Sequence, residues 1–458
     1  MRKLIGDRAF YRKVLLVAVP IMIQNGITNF VSLLDNIMVG QVGTEQMSSV
    51  AIVNQLLFVY NLCIFGGLSG AGIFGAQFYG QGNQKGIRET FRFKIWISVI
   101  VTAIGMMIFL LFGGELIQLY LNESNDAKSI ESALFYGKQY LSIMLIGIIP
   151  FSIVQIYAST LRETGETLLP MKAGIAAVCV NMMFNYVLIF GKFGAPALGV
   201  AGAAIATTIS RFAECMIVVV WTHRHKEKNP YMEGVYRSLR VPIDLVKKIL
   251  LKGCPLLVNE ALWSAGMAML LQCYSVRGLN VVAGMNISNT IGNLFNVVFI
   301  ALGSSVSIVV GQLLGANKME EAKDTDTKLI FFSVMCCVGI GAVMAMISPF
   351  FPQIYNTSDE VRLLAERFIV VAAIFMPQQA FMHATYFTLR SGGRTVITFF
   401  FDSVFVWIIT IPLAYVLSRY TGLNIVLVYF CCQAIEIIKC IIGFVLVKKG
   451  VWLRNIVN

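Results

Sequence analysis

Apolar stretches of roughly 20 residues follow one another from Val14 to the last few residues of the chain, separated by short polar segments rich in Gly, Asn, Lys and Arg. Twenty residues of helix rise about 30 Å, enough to cross the hydrocarbon core of a bilayer. The pattern predicts spans near 14–40, 47–79, 93–113, 134–160, 168–191, 197–221, 248–276, 282–314, 328–349, 363–389, 394–418 and 424–447. The first run is too long for the core of a cleavable signal and no small-residue cleavage site follows it, so it reads as the first span. The expected fold is all-α and integral to the membrane, with twelve transmembrane helices.

The longest polar stretch, THRHKEKNPYMEGVYRSLRVPID at 222–244, leaves six spans on either side. This divides the chain into an N-terminal six-helix bundle (1–221), a cytoplasmic linker (222–247) and a C-terminal six-helix bundle (248–458). Laying Pro20 over Pro255 and sliding without gaps to Gly80 over Gly315, a constant offset of 235, gives 9 identities in 61 positions. About five would arise by chance in so biased a composition. The matched residues carry more weight than their number, because Gly43/Gly278, Asn54/Asn289, Asn61/Asn296, Ser69/Ser304 and Gln77/Gln312 are polar or helix-punctuating. A second match pairs STLRETGET (159–167) with FTLRSGGRT (387–395), each after a span containing a proline, Pro150 and Pro377. Each half has an even number of crossings, so the two share one orientation and are expected to be related by a pseudo-twofold axis along the membrane normal, an architecture of transporters.

The basic residues test the count. With both termini cytoplasmic, the inner segments receive Arg2, Lys3, Arg8, Arg12 and Lys13, then Lys85, Arg88, Arg92, Lys94, Arg162 and Lys172. The linker, Lys318, Lys323, Lys328, Arg390, Arg394 and the tail residues Lys448, Lys449 and Arg454 follow on the same side. This bias agrees with the positive-inside rule. It accounts for a net charge of +12 by topology and attraction to anionic lipid, so a nucleic-acid partner is not required. Of 458 residues 57% are hydrophobic and only 13% charged, which sets lipid as the solvent. The ten cysteines fall in apolar runs without metal-ligand spacing and read as packing residues.

Four separated segments in order, LLDNIMVGQVG, GAQFYGQGNQKGIRET, LRETGET and GAPALGVAGAAIATTIS, resemble the multidrug and toxic compound extrusion (MATE) transporters. The resemblance covers nearly the whole chain. It implies two six-helix bundles around a V-shaped cavity, acting as a monomer without a cofactor in the plasma membrane. It also implies a secondary antiporter that lets Na⁺ or H⁺ in as a small organic, often cationic, compound leaves.

Within that frame Asp35 stands out, since a charge at the centre of a span costs about 2.5–3.5 kcal/mol, less toward its end. The fifth span offers Asn181 and Asn185 four residues apart on one helix face, and the sixth offers Ala203 and Thr207 with the same spacing. A carboxylate, two amides, a hydroxyl and a backbone carbonyl make an oxygen shell suited to a hard cation such as Na⁺. The resemblance implies a cation site at these positions of the first, fifth and sixth spans. Some family members carry an aspartate where this chain has Asn185, leaving protonation here to Asp35 alone.

In the C-terminal half, Glu260 and Trp263 are candidates for contact with a cationic substrate. Asp402, on the eleventh span, is a candidate for a second cation site, because the tenth span, which bears the acid in many MATE proteins, has none. Gln24, Asn25, Asn54, Asn61, Asn289 and Asn296 are expected to line the cavity. Arg211 with Glu214 and Glu436 with Lys439 are i,i+3 pairs of opposite sign expected to neutralise one another. His383 reads as packing, and Pro20, Pro150, Pro255 and Pro377 as hinge positions. An alternative on the same fold is a flippase or exporter of a lipid-linked precursor or metabolite. An intramembrane enzyme is disfavoured, because Asp35 and Asp402 lie in different halves and His383 has no acid on its span.

Overall fold

The computed structural model describes residues 4–120, 127–355 and 357–458, with only the backbone described at 30–37, 40, 44, 127–129 and 279. Among the described residues the chain is all-helical, and its long helices follow the predicted order. The first half contains α1 (Arg8–Gly40), α2 (Thr44–Gln81), α3 (Gln84–Gln118), α4 (Ala127–Glu163), α5 (Leu168–Phe190) and α6 (Val200–Arg224). The second contains α7 (Ile243–Ser275), α8 (Leu279–Gly315), α9 (Met319–Ile347), α10 (Asp359–Ser391), α11 (Thr395–Tyr420) and α12 (Ile425–Lys448). Within α11 the turns are π-helical over Phe400–Val404 and Val406–Thr410, and α12 is interrupted by a turn at Ile435 and Glu436.

Most helices exceed the predicted spans because their polar ends continue the backbone hydrogen bonding past the apolar stretch. Lys85, Arg88 and Arg92 stand on the first turns of α3, and Lys323 and Lys328 on those of α9. Ten helices are long and apolar enough to cross a membrane among the described residues. α10, which carries Gln378, Gln379 and His383, is not one of them. It carries buried residues from Val361 to Ser391, and over that stretch only Leu363, Arg367 and Ile374 are exposed. α3 is the opposite case, with a mean hydropathy of 2.6 and only 11% of its apolar window buried, so its outer face (Val99, Leu110, Leu111) is left for acyl chains.

Packing sorts the chain into two compact units. One comprises Ile23–Gly75 and Gln84–Leu250, the other Met1–Met22, Ala76–Asn83 and Leu251–Asn458. In the first unit, the linker after α6 is strapped to α3 by a ladder at helical spacing. Arg88 Nε donates to Tyr231 O at 3.1 Å, Arg92 Nε to Val235 O at 2.9 Å and Trp96 Nε1 to Leu239 O at 3.0 Å. Burial pushes the Tyr231 phenol well above its usual pKa, and the nearby Glu163 charge acts in the same direction.

In the second unit the end of α2 crosses the end of α8 with no room for a side chain. A Cβ on Gly80 would lie 1.8 Å from the Gln312 carbonyl oxygen, and one on Gly315 would lie 1.9 Å from that of Gln77. The offset of 235 carries Gly80 onto Gly315 and Gln77 onto Gln312, so each glycine meets the repeat partner of the other's neighbour. Gln77 is also fixed by the tail, accepting from Ile456 N at 2.8 Å and donating to Ser391 O at 2.9 Å. Gly80→Ala and Gly315→Ala are each expected to destabilise the protein by about 1–3 kcal/mol. Gly339→Ala, with nothing within 4 Å of its Cβ, is the control and should leave the unfolding temperature of the purified protein unchanged or slightly raised.

Candidate functional site

α5 places Asn181 and Asn185 one turn apart on a single face, as their spacing requires. Asn185 Nδ2 donates to Asn181 Oδ1 at 3.0 Å, and Asn181 Nδ2 donates to Thr207 Oγ1 on α6 at 3.1 Å. Both asparagines are buried, at 3% and 0% exposure. Ala203, one turn before Thr207 on α6, is buried as well. Three of the five predicted cation-site residues are thus joined by direct hydrogen bonds. The Asp35 side chain lies outside the described residues; its backbone belongs to α1 and to the same compact unit. Amide and hydroxyl oxygens buried without charge can take a hard cation or hold the proton of a carboxylic acid.

Gln24 is half-buried, and its Oε1 accepts from Arg162 Nη2 at 2.7 Å. Asn54 Oδ1 accepts from the Tyr140 hydroxyl at 3.4 Å, and Asn25 and Asn61 are half-buried. Arg211 Nη1 reaches Glu214 Oε2 at 3.1 Å, the i,i+3 contact their spacing predicts, and its guanidinium lies over the Phe151 ring.

A stronger ion pair joins α3 to α4. Lys94 Nζ donates to both carboxylate oxygens of Glu163 at 2.7 Å and to Thr160 Oγ1 at 2.9 Å, with Lys94 at 0% and Glu163 at 7% exposure. A Cβ at position 75 would lie 2.1 Å from Glu163 Oε2, so the bare backbone of Gly75 makes space for the acid. The charge reading had placed Lys94 among the solvated inner-loop cations. It is instead a buried helix residue, because a carboxylate almost seventy positions away is brought to meet it.

The second unit holds a larger network. Glu260 is half-buried on α7, within electrostatic reach of Arg390 and Asp402, and Trp263 is half-buried one turn on. Asn259 is fully enclosed and donates to Asp402 Oδ2 at 3.0 Å, while its Oδ1 accepts from Ser403 Oγ at 2.7 Å. Asp402 stands in the π-helical turn, a distortion that often marks functional positions. Lys439 Nζ lies 3.7 Å from Asp402 Oδ1 and 3.5 Å from Glu436 Oε1, and Gln379 Nε2 donates to Glu436 Oε2 at 3.2 Å. The His383 ring packs 4.6 Å from that of Phe299. On α8, Asn289 is exposed and Asn296 half-buried.

The two networks occupy duplicated positions. The offset of 228 that pairs the TLR motifs carries Arg162 onto Arg390 and Thr160 onto Thr388, and further along it carries Gly174 onto Asp402. At Gly174 a Cβ would face Gln24 Cγ at 3.6 Å and Glu214 Oε1 at 4.0 Å. Asp402 faces Asn259, the repeat partner of Gln24, and Lys439. The neighbours correspond, but the charges have been exchanged. Thr160 accepts from Lys94, whereas its partner Thr388 donates to the fully buried Asp326 at 2.5 Å. Extending the TLR alignment to the following span adds a repeat position, Gly174, to the Asp402 already singled out in the sequence. Nothing comparable pointed to Asp326, which sits among the charges opening α9.

The sequence profile described as MatE matches twice, over residues 20–187 and 255–416, and the two matches begin 235 residues apart, the offset of the internal repeat. A probable multidrug resistance protein, NorM, of Thermotoga maritima is 24% identical over 97% of this chain and 94% of its own. A probable multidrug resistance protein, YoeA, of Bacillus subtilis is 26% identical over 91% of this chain and 88% of its own. A solved structure of a multidrug resistance MATE family transporter of the MOP superfamily, in an outward-facing conformation, superposes with a TM-score of 0.85 at 18% identity, covering 98% of this chain and 97% of that one.

The Lys94–Glu163 pair gives a direct test of the buried electrostatics. Glu163→Gln leaves an ammonium without a counter-charge and is expected to cost about 3–5 kcal/mol. Lys94→Met with Glu163→Met removes both charges and should recover most of that loss in thermal unfolding. Equal destabilisation by the single and double variants would show that the pair is not held by charge.

Proposed function

The chain belongs to the MatE family, and on that premise we propose that it exports small organic cations in exchange for inward Na⁺ or H⁺, by alternating access of its two six-helix halves. Family membership makes it a multi-pass membrane transporter and not an enzyme, and the chemistry calls for no cofactor. The moving bodies in this reading are 1–221 and 248–458, joined by the linker 222–247, in a monomer of the plasma membrane with both termini cytoplasmic. Pro20, Pro150, Pro255 and Pro377 all lie inside long helices and each withholds one backbone hydrogen bond, which supports bending there.

The observation that carries the reading is the enclosed chain Asn185–Asn181–Thr207, on two helices of the unit that includes residue 35. Asp35 supplies the charge and these groups, with the region of Ala203, supply neutral oxygens, so one cation or one proton is accommodated at a time. For the cargo, Glu260 provides an acid and Trp263 an aromatic face, with Gln24, Asn25, Asn54, Asn61, Asn289 and Asn296 as further polar contacts. An entering monovalent ion gains about 2.3 kcal/mol per 100 mV, equivalent to roughly a fifty-fold gradient of a neutral cargo. For a monovalent organic cation that electrical gain cancels, and the ion's concentration gradient drives export.

Everted vesicles with a fluorescent cationic dye supplied outside test this directly, by dye uptake into the lumen, when a pH gradient and a Na⁺ gradient are imposed separately. One of the gradients should drive dye movement, and Asp35→Asn should abolish the response. Asn181→Ala, which removes one hydrogen-bonding group worth about 1 kcal/mol, should weaken apparent ion affinity roughly five-fold while the cargo concentration for half-maximal transport stays unchanged. Dye flux indifferent to both gradients would remove the antiport reading.

A further inference from the structure

The C-terminal bundle encloses two acids and one base that the transport reading does not use. Lys439 is 3% exposed, and its ammonium is suspended between Asp402 Oδ1 at 3.7 Å and Glu436 Oε1 at 3.5 Å, with the Phe405 ring 5.2 Å away. Neither separation is a short hydrogen bond. The ammonium is held by charge and shared between carboxylates contributed by different helices. Asp402 is the more open partner, its side chain 24% accessible, while Lys439 lies enclosed at 4%. The other groups facing it are fixed: Asn259 Nδ2 holds Asp402 Oδ2, Gln379 Nε2 holds Glu436 Oε2, and His383 lies within electrostatic reach of both Asp402 and Lys439.

This is how a monovalent cation would be held, with carboxylate oxygens, an aromatic face and second-sphere amides, except that the cation is covalently attached to α12. We propose that Lys439 is a tethered ammonium standing where an exchangeable cation would otherwise sit, so that Asp402 and Glu436 hold no free ion during the transport cycle. The repeat comparison points the same way. Asp402 appears where the first half has Gly174, and the i,i+3 pair of the last helix is Glu436–Lys439 where the first half has Arg211–Glu214, with the signs interchanged. An acid gained on one helix is answered by a base gained on the facing one. The inference concerns the bundle to which the antiport reading assigns no ion, and a binding measurement tests it without reference to transport.

The full-length protein in nanodiscs is titrated with Na⁺ at constant ionic strength, with choline as the replacing ion, and bound ²²Na⁺ and unfolding temperature are followed. Wild type and Asp402→Asn should bind the same number of ions. Lys439→Ala should bind one more ion per chain, unfold several degrees lower in choline, and recover that loss in Na⁺ or methylammonium. Adding Asp402→Asn to Lys439→Ala should abolish the extra ion. The proposal is overturned if Asp402→Asn alone removes a bound ion, since the site would then already hold an exchangeable one. It is equally overturned if folded Lys439→Ala gains none. Should Lys439→Ala misfold in choline, recovery in methylammonium supports the proposal, and failure of both cations to restore the fold contradicts it.

Discussion

A charge inside a helical bundle surrounded by lipid has no water to turn to and must find a charged or hydrogen-bonding partner on its own helix or on a neighbouring one. That constraint organises the interior of this protein. Lys94 on α3 is matched by Glu163 on α4, Arg211 by Glu214 one turn along α6, and Lys439 on α12 by Glu436 and by Asp402 on α11. Each match between helices fixes two of them in register more sharply than apolar contact does, because an apolar helix can slide by a turn at little cost and an ion pair cannot.

Duplication sets the frame within which these charges stand. The halves share prolines, glycines and amides at a fixed offset, and the Gly80–Gly315 crossing preserves the symmetry at the level of backbone contact. The charges do not follow it. The first half keeps a neutral oxygen chain between α5 and α6 and confines its ion pairs to other positions, whereas the second puts an acid at 402 and a base at 439. Two copies of one bundle have become chemically unequal, the first with a hydrogen-bonded chain of neutral groups at Asn185, Asn181 and Thr207 and the second with a lysine between two carboxylates.

Much of this was legible in the letters. Long apolar runs gave the helices, and the coincidence of Pro, Gly and Asn gave the repeat, because those residues interrupt an otherwise uniform pattern. The i,i+4 spacing of Asn181 and Asn185 predicted a shared face, which the structure realises. Other features left no local trace. Lys94 closes a run of charges at the start of an apolar segment and so looks like an ordinary membrane-boundary lysine, since its partner is distant in sequence. Asp326 lies in MEEAKDTDTK, which reads as a solvated helix start, yet the packing of α10 buries it completely. The π-helical turns of α11 depend on small changes in backbone angle that FFFDSVFVW does not announce. Gln24 meets Arg162, a partner 138 positions away that nothing in the neighbouring letters announces.

The central claim is that one mobile cation, received by the first half, drives each transport cycle, while the second half contributes a fixed one. Flux-balance measurements on proteoliposomes test it most directly, by finding the cargo gradient at which net flux of a cationic cargo stops for a set ion gradient at each of several clamped membrane voltages. The account predicts a voltage-independent balance for a monovalent cargo, corresponding to one ion per molecule exported. A balance that shifts with voltage as two ions per cargo require would contradict it.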